Sequence, residues 1–380
     1  MGNRSTGSVA SPRPPRAIRP DPVSGWLRGV AGLLACAALA GCAGPHGVVD
    51  APRVPPCRAV DRVSGTVADV RWIAPGHPED RQVLHAWCET VGGVVVDAAP
   101  AEFLPGGTDT LAVVTWNNHI GRGDLDRLVR SLRTGALTGG RPPAQFVILL
   151  QEVHRTAPVV PRGRPGIRVP RGHREGPAGA ERSDVVRMAR NLGLALYYVP
   201  SMRNGYTGDP ATEEDRGNAI LSTLPLSGFT VAELPVQRQR RAAAVATVTG
   251  TTLTGEPWCL RVASAHLDVP FNGRQARTLT EALAPEPTLV LGGDFNAPFS
   301  GYGTIPHLRD RFPDSPRVEY GRTHGVGRLD YLFFRSAGGA ASRATRIDDR
   351  FGSDHNPLIG WFPVPRGPDA SCSPAAAEGP

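Results

Sequence analysis

Gly292-Gly-Asp-Phe-Asn296 and Ser353-Asp-His-Asn-Pro357 decide how this chain reads. The first follows the apolar run Thr288-Leu-Val-Leu291, and the second precedes Leu358-Ile-Gly-Trp-Phe362. Short apolar runs closed by Gly, Pro or Asn predict buried strands. Each string therefore puts a carboxylate at a strand tip, next to an amide in one case and an imidazole in the other. Such groups hold a hard cation, orient a water and manage a proton.

The same arrangement recurs upstream. Strands are predicted over Leu111–Trp116, Phe146–Leu150, Ala195–Val199, Ala219–Ser222, Ala243–Val248, Cys259–Ala265, Thr288–Leu291, Leu329–Phe334 and Leu358–Phe362. Helical periodicity falls between them at Leu125–Leu132, with Asp124 as its start, at Ser183–Leu192, capped by Ser183 or Asp184, and at Gln275–Leu283. Strands interleaved irregularly with helices imply two packed sheets with helices outside them. Asn117 and Asn118 follow the first of these strands, Gln151-Glu152 the second, His266-Leu-Asp268 the sixth and Asp294-Phe-Asn296 the seventh. Asp330 opens a strand after Thr323-His324, and Asp354-His355 precedes the last one.

Each of these groups alone has a plain explanation: a solvated strand end, a hydrogen-bonded structural His, a turn cap. As a set of carboxylates, imidazoles and amides, all at strand ends, they point to metal-assisted phosphoester chemistry. That chemistry needs an oriented water, neutralised phosphoryl oxygens and a path for a proton. No Gly-rich phosphate loop, Ser nucleophile elbow or zinc spacing competes.

The series Trp116-Asn117, Gln151-Glu152, Gly217-Asn-Ala-Ile-Leu-Ser222, Ala265-His-Leu-Asp268, Gly293-Asp-Phe-Asn296, Arg328-Leu-Asp-Tyr331 and Ser353-Asp-His355 resembles the endonuclease/exonuclease/phosphatase (DNase I-like) superfamily. The resemblance covers about residues 110–363. It implies an α/β fold, a four-layer α/β/β/α sandwich of two mostly antiparallel sheets. It also implies hydrolysis dependent on Mg²⁺, with Mn²⁺ or Ca²⁺ as alternatives. Carried over residue by residue, Glu152, Asn117 and Asp354 would hold the metal. Asp294 would orient or deprotonate the attacking water, and Asn296 would hold that water and the phosphate. His355, oriented by Asp330, would stabilise the phosphate in the transition state, and His266 would be a second phosphate-side imidazole. Asn118, Asn204 and Tyr206 would contact substrate; Tyr206 is the candidate for the superfamily's catalytic Tyr. The implied substrate is a phosphoester, with nucleic acid and phospholipid head groups both open. A non-catalytic surface-binding protein on the same scaffold is the alternative.

The chain of 380 residues carries +7 formal charge, and its 42 basic residues are all Arg. That pattern fits codon bias in a high-GC bacterial genome. Arg4, Arg13, Arg16, Arg19 and Arg28 precede an apolar run, Gly29 to Ala40, too short for a membrane span and suited to a signal peptide. Leu39-Ala-Gly-Cys42 resembles a bacterial lipobox with Cys42 as the lipidated residue; an ordinary secretory cut nearby is the alternative. Loss of residues 1–41 would lower the charge from +7 to +3, so charge is a poor argument for nucleic acid. The expectation is an extracytoplasmic, membrane-anchored or secreted monomer.

The domain reading is a signal segment over 1–41, a tether and N-terminal extension over 42–109, the hydrolase-like domain over 110–363 and a disordered tail over 364–380. The extension shows one helical stretch, Glu79 to Val91, and no run of core strands. Cys57–Cys88 is the expected disulfide, and Cys259 reads as a buried free thiol. Residues 155–180, with five Pro, five Gly and six Arg, read as a surface insertion or an Arg-bearing flap.

Overall fold

Residues 111–116 serve two cores at once. Leu111 and Val113 pack with Val147, Leu149, Val262 and Val290, whereas Ala112, Val114 and Trp116 pack with Leu128, Leu132 and Ile148. A strand alternates its side chains, so a continuous apolar run means that both faces are covered. The computed structural model describes residues 48–50, 60–62, 69–88, 90–101, 106–160, 182–204, 213–269, 272–298, 303–316, 321–336 and 343–366. All lie within the compact unit Pro45–Pro380.

The elements are β1 (Val48–Asp50), β2 (Val60–Arg62), β3 (Val70–Pro75), α1 (Pro78–Cys88), β4 (Val94–Asp97), β5 (Thr110–Asn117), α2 (Leu125–Arg133) and β6 (Phe146–Thr156). They continue as α3 (Val185–Asn191), β7 (Ala195–Arg203), β8 (Glu214–Ser222), β9 (Leu226–Glu233), β10 (Ala242–Thr251), β11 (Pro257–His266) and α4 (Gly273–Ala282). The last are β12 (Leu289–Asp294), α5 (Thr304–Arg311), β13 (Asp330–Arg335), β14 (Arg343–Arg346) and β15 (Leu358–Pro363). One sheet runs β1-β3-β9-β10-β11-β12-β13 and the other β14-β15-β5-β6-β8-β7-β4-β2. Most pairings are antiparallel, but β2–β4, β3–β9, β5–β6 and β11–β12 are parallel.

Three cores define four layers. The central one lies between the sheets. A second joins α2 and α3 to the outer face of the eight-stranded sheet, and a third joins α4 and α5 to the outer face of the other. The predicted four-layer α/β/β/α sandwich is borne out. Asp124 caps α2 through Arg127 N, and Asp184 caps α3 through Arg187 N, each at the residue the sequence offered.

Several expectations are corrected. Residues 57–108 do contain sheet strands: β3 pairs with β9, and β4 with β7, so this segment extends both sheets. β9 escapes a hydrophobic-run reading because Gly228, at φ +56°, interrupts it. β14 (Arg-Ala-Thr-Arg) has one apolar residue, and α5 lacks a side-chain cap, so neither announces itself. Cys259 is disulfide-bonded, as is Cys88; position 259 lies on the partly exposed face of β11, where a bond can be reached. Cys57 and Tyr206, like residues 1–41 and Cys42, lie outside the described residues. No described helix is long and apolar enough to cross a membrane.

The expected insertion also starts later than 155. β6 continues through Thr156, and Arg155 is buried in a two-pronged ion pair with Asp215. Asp215 further accepts from Tyr198 Oη at 2.9 Å and Gly92 N at 2.9 Å, and Arg155 donates to Gly93 O at 2.9 Å. A buried charge stripped of its partner costs about 3–5 kcal/mol. Arg155→Ala should therefore lower the urea midpoint by that amount of stability without changing the catalytic groups. An unchanged midpoint would show that the pair is not a fastener between β4 and the β6–β8 hairpin.

Candidate active site

Strand register assembles the site. In β11, β12 and β13, His266 lies opposite Asp294, and Asp294 opposite Asp330. Parallel β11 and β12 end where antiparallel β13 begins, so the three side chains share one row. In the other sheet the β5–β6 pairing ends with Asn117 opposite Gln151, and β15 begins beside it. The two sheets meet here through buried Gln151, whose Nε2 donates to Ser264 Oγ at 3.0 Å and Thr115 Oγ1 at 3.3 Å. Gln151 is thus a clamp beneath the site.

Close approach dictates the two glycines before Asp294. A Cβ on Gly293 would sit 2.0 Å from Ala265 O, and one on Gly292 within 2.8 Å of Leu149 Cδ1 across the sheets. Glu152 is placed by a different device. The β6–β8 register shifts between Leu150 and Val153, and Glu152 takes φ +51° there. A bulge of this kind turns a side chain off the regular alternation, at a backbone cost of about 1–3 kcal/mol for a non-Gly residue.

The central contacts are short. His355 Nδ1 lies 2.8 Å from Asp330 Oδ2, and the His355 ring presents Nε2 at 3.8 Å from Asp294 Oδ2. Asp294 Oδ2 accepts from Asn117 Nδ2 at 3.0 Å, and its Oδ1 from Asn296 N at 2.9 Å. Asn296 also adopts positive φ, 47°, and places Nδ2 at 3.0 Å from His266 Nε2. His266 Nε2 is 3.4 Å from Asp294, and its Nδ1 is 3.0 Å from Arg241 and 3.9 Å from Glu152. Ser353 Oγ ties the two strand tips together, donating to Asn117 O at 2.7 Å and accepting from His355 N at 3.1 Å.

The electrostatics follow from burial. Burial raises Asp294 to about 7, with Asp330 adding to the rise and His355, Asn296 N and Asn117 opposing it. For His355, burial disfavours the cation, but Asp330, followed by Asp294 and Asp354, outweighs it and lifts the imidazole to about 10. Burial likewise lowers His324 and Arg241.

The structure thus brings together Asn117, Glu152, His266, Asp294, Asn296, Asp330 and His355. Asp354 lies at the rim, 42 % exposed, 3.9 Å from His355 Nε2. Asn118 is buried, and its Nδ2 donates to Gly123 O, where it braces the turn after β5. Asn204 is buried at the end of β7 with neither amide atom partnered, and no contact joins it to the cluster among the described residues. Three residues were missed by sequence reasoning. Arg241 closes the basic run Arg238-Gln-Arg-Arg241, and Asp268 holds that loop by accepting from Arg238 N and Gln239 N. His119 follows Asn117-Asn118, and His324 packs at a tilt against His355 with ring centroids 4.6 Å apart. Beside the row, a small open concavity is lined by Glu152, Arg216, Asn218, Arg241 and His266 together with Ser201 and Met202.

The oxygen donors Glu152, Asn117, Asp294 and Asp354 suit a hard cation, and buried Asp330 Oδ1 has no hydrogen-bond partner. Asn117 is partly engaged already, since its Oδ1 accepts from His119 N at 3.0 Å.

Comparison with known proteins agrees with this picture. No curated protein matches the chain. Among solved structures it is similar to an endonuclease/exonuclease/phosphatase from Beutenbergia cavernae (21% identity, 67% of this chain and 72% of that one, TM-score 0.46). It is also similar to the 3′ phosphatase NExo from Neisseria (17% identity, 66% and 98%, TM-score 0.38) and to the AP endonuclease LMAP from Leishmania major (14% identity, 76% and 99%, TM-score 0.41). The endonuclease/exonuclease/phosphatase family profile matches residues 114–355, which takes in the site from β5 to His355, and the chain belongs to that family.

Proposed function

We propose that this chain is an extracytoplasmic, lipid-anchored phosphodiesterase that uses Mg²⁺ and a water nucleophile. The observation that carries this reading is the in-register row His266–Asp294–Asp330 facing an imidazole whose Nδ1 is held by a carboxylate. A bound Mg²⁺ would neutralise phosphoryl charge and favour ionisation of a water; Glu152, Asn117 and Asp354 are the residues proposed to hold it. Asp294 orients the water and accepts its proton. Asn296 and Asn117 hold Asp294 in place and leave it little rotational freedom. His355 donates from Nε2 to a non-bridging phosphate oxygen, because Asp330 stabilises the imidazolium, in which both ring nitrogens carry a proton, and holds the ring fixed. Arg241 lines the concavity beside the row and adds positive charge for an anionic substrate, and His266 Nδ1 accepts a hydrogen bond from it at 3.0 Å.

The location is supported by the basic stretch before Gly29, by Leu39-Ala-Gly-Cys42, and by disulfide bonds at Cys88 and Cys259, which suit an oxidising compartment. The test is a substrate panel with purified mature protein: plasmid DNA, RNA, sphingomyelin, phosphoinositides and a chromogenic phosphodiester, each with Mg²⁺ and again with chelator. The expected result is hydrolysis of at least one phosphodiester, lost on chelation and restored by Mg²⁺. No turnover of any member with Mg²⁺ or Mn²⁺ would leave the non-catalytic binding protein as the better reading.

A further inference from the structure

His324, Asp354 and His355 stand together at the rim of the row, although no sequence spacing joins them. Their candidate ligand atoms all lie within 4.8 Å of one another. His324 Nε2 is 3.6 Å from Asp354 Oδ2, and His355 Nε2 is 3.9 Å from Asp354 Oδ1. His119 Nδ1 lies 3.6 Å from Asp354 Oδ1 on the same rim.

These separations are too long for hydrogen bonds, which run to about 3.2 Å. They are close to the edge of a coordination polyhedron. Four ligands at roughly 2.1 Å around a tetrahedral ion stand about 3.4 Å apart. The contrast with His355 Nδ1–Asp330, at 2.8 Å, is direct. That second contact is also how proteins hold a ligating imidazole: one ring N–H donates to a carboxylate, which leaves the other nitrogen aimed at the ion. His324 packs against His355 at a tilt of 34°, which restrains both rings. Binding through Nε2 of each ring requires the 3.3 Å contact from Val326 N to His324 Nδ1 to yield, in a turn where Val326 is 64% exposed, and the proton on His355 Nε2 to be released.

Donor type selects the metal. Mg²⁺ favours oxygen ligands and keeps its waters, whereas two imidazoles and a carboxylate suit zinc-class ions. We propose that His324, Asp354 and His355 form a binding site for one zinc-class divalent ion, with a fourth position open to water or His119. The site uses two imidazoles that a Mg²⁺ site would not. Under the catalytic reading above, on which this consequence rests, such an ion would occupy the His355 Nε2 meant for the phosphate. It would therefore be an inhibitor.

The test reads binding and needs no turnover. Co²⁺ is titrated into the full mature chain in 5 mM-class Mg²⁺ buffer (on the order of millimolar, enough to fill an oxygen site), and its visible d–d absorption is followed; Zn²⁺ is then used as competitor. The expected result is one equivalent of Co²⁺ in a four-coordinate nitrogen–oxygen spectrum, displaced by Zn²⁺, with Mg²⁺ competing only through the shared Asp354. His324→Ala, Asp354→Asn and His355→Gln should each weaken it by about tenfold or more, while His85→Gln, on the exposed side of α1, should not. Far-ultraviolet circular dichroism checks that each variant is folded. Equal affinity in wild type and in folded His324→Ala and Asp354→Asn would overturn the proposal. Because the readout is spectroscopic, its failure is separable from a failure of the hydrolase reading.

Discussion

Replacing His355 should lower the rate of phosphodiester hydrolysis by about 10²–10³-fold, the usual loss when one preorganised donor to a developing oxyanion is removed. The effect should fall on kcat, because the donor matters most when charge builds on the phosphate. The choice of variant matters. Asp330 is fully buried, and His355 Nδ1 is its short partner. His355→Ala would strand that carboxylate and cost stability of about 3–5 kcal/mol. His355→Gln keeps an amide donor near Asp330 and separates chemistry from folding. Asp330→Asn provides the companion measurement: His355 remains, but its orientation is no longer held, so kcat should fall while substrate binding changes little. A fully active His355→Gln enzyme, folded and metal-replete, would remove His355 from the mechanism.

Asp294→Asn should have a comparable or larger effect, about 10²–10⁴-fold on kcat, the range for loss of a positioned general base. It should also move stability in the opposite direction. Burial holds the Asp294 carboxyl up at about 7, against an ordinary value near 3.9. A raised folded-state pKa means stability that is full below about 4 and is lost as pH rises through 7. In chelated protein above pH 7, the ionised carboxylate is therefore a burden on the fold, and Asn removes it. The expected result is a chelated variant that melts higher than wild type at pH 8 and about equal to it at pH 4, yet is nearly inactive with Mg²⁺. A variant that retains activity would show that the water is handled by another group. A melting temperature lower than wild type at pH 8 would show that the charge is needed by its neighbours.

The sandwich was legible because its evidence is local. Runs such as Leu111–Val114 and Phe146–Leu150 are apolar at every position, which requires cover on both faces whatever the partners are. Capping residues Asp124 and Asp184 mark helix starts by chemistry confined to three residues. The polar strand tips were legible for the same reason: Asp294, Asp330 and His355 each sit within three residues of an apolar run. The peripheral strands were not. β1 to β4 are short and draw their stability from neighbours already in the sheet, β9 and β7 among them, so their own composition says little. The bond at Cys259 is likewise a matter of which face of β11 it occupies.

By itself, then, the sequence determined the residue types at the strand ends, and with them the family. It could do so because a carboxylate or an imidazole at the end of a buried strand is written in consecutive residues. The tertiary structure decided which of those groups meet. Register placed His266, Asp294 and Asp330 in one row, a bulge turned Glu152 toward it, and loop packing brought Arg241, His119 and His324 to its rim. These neighbours are tens to hundreds of residues apart, and only the pairing of two sheets across a shared core sets their distances.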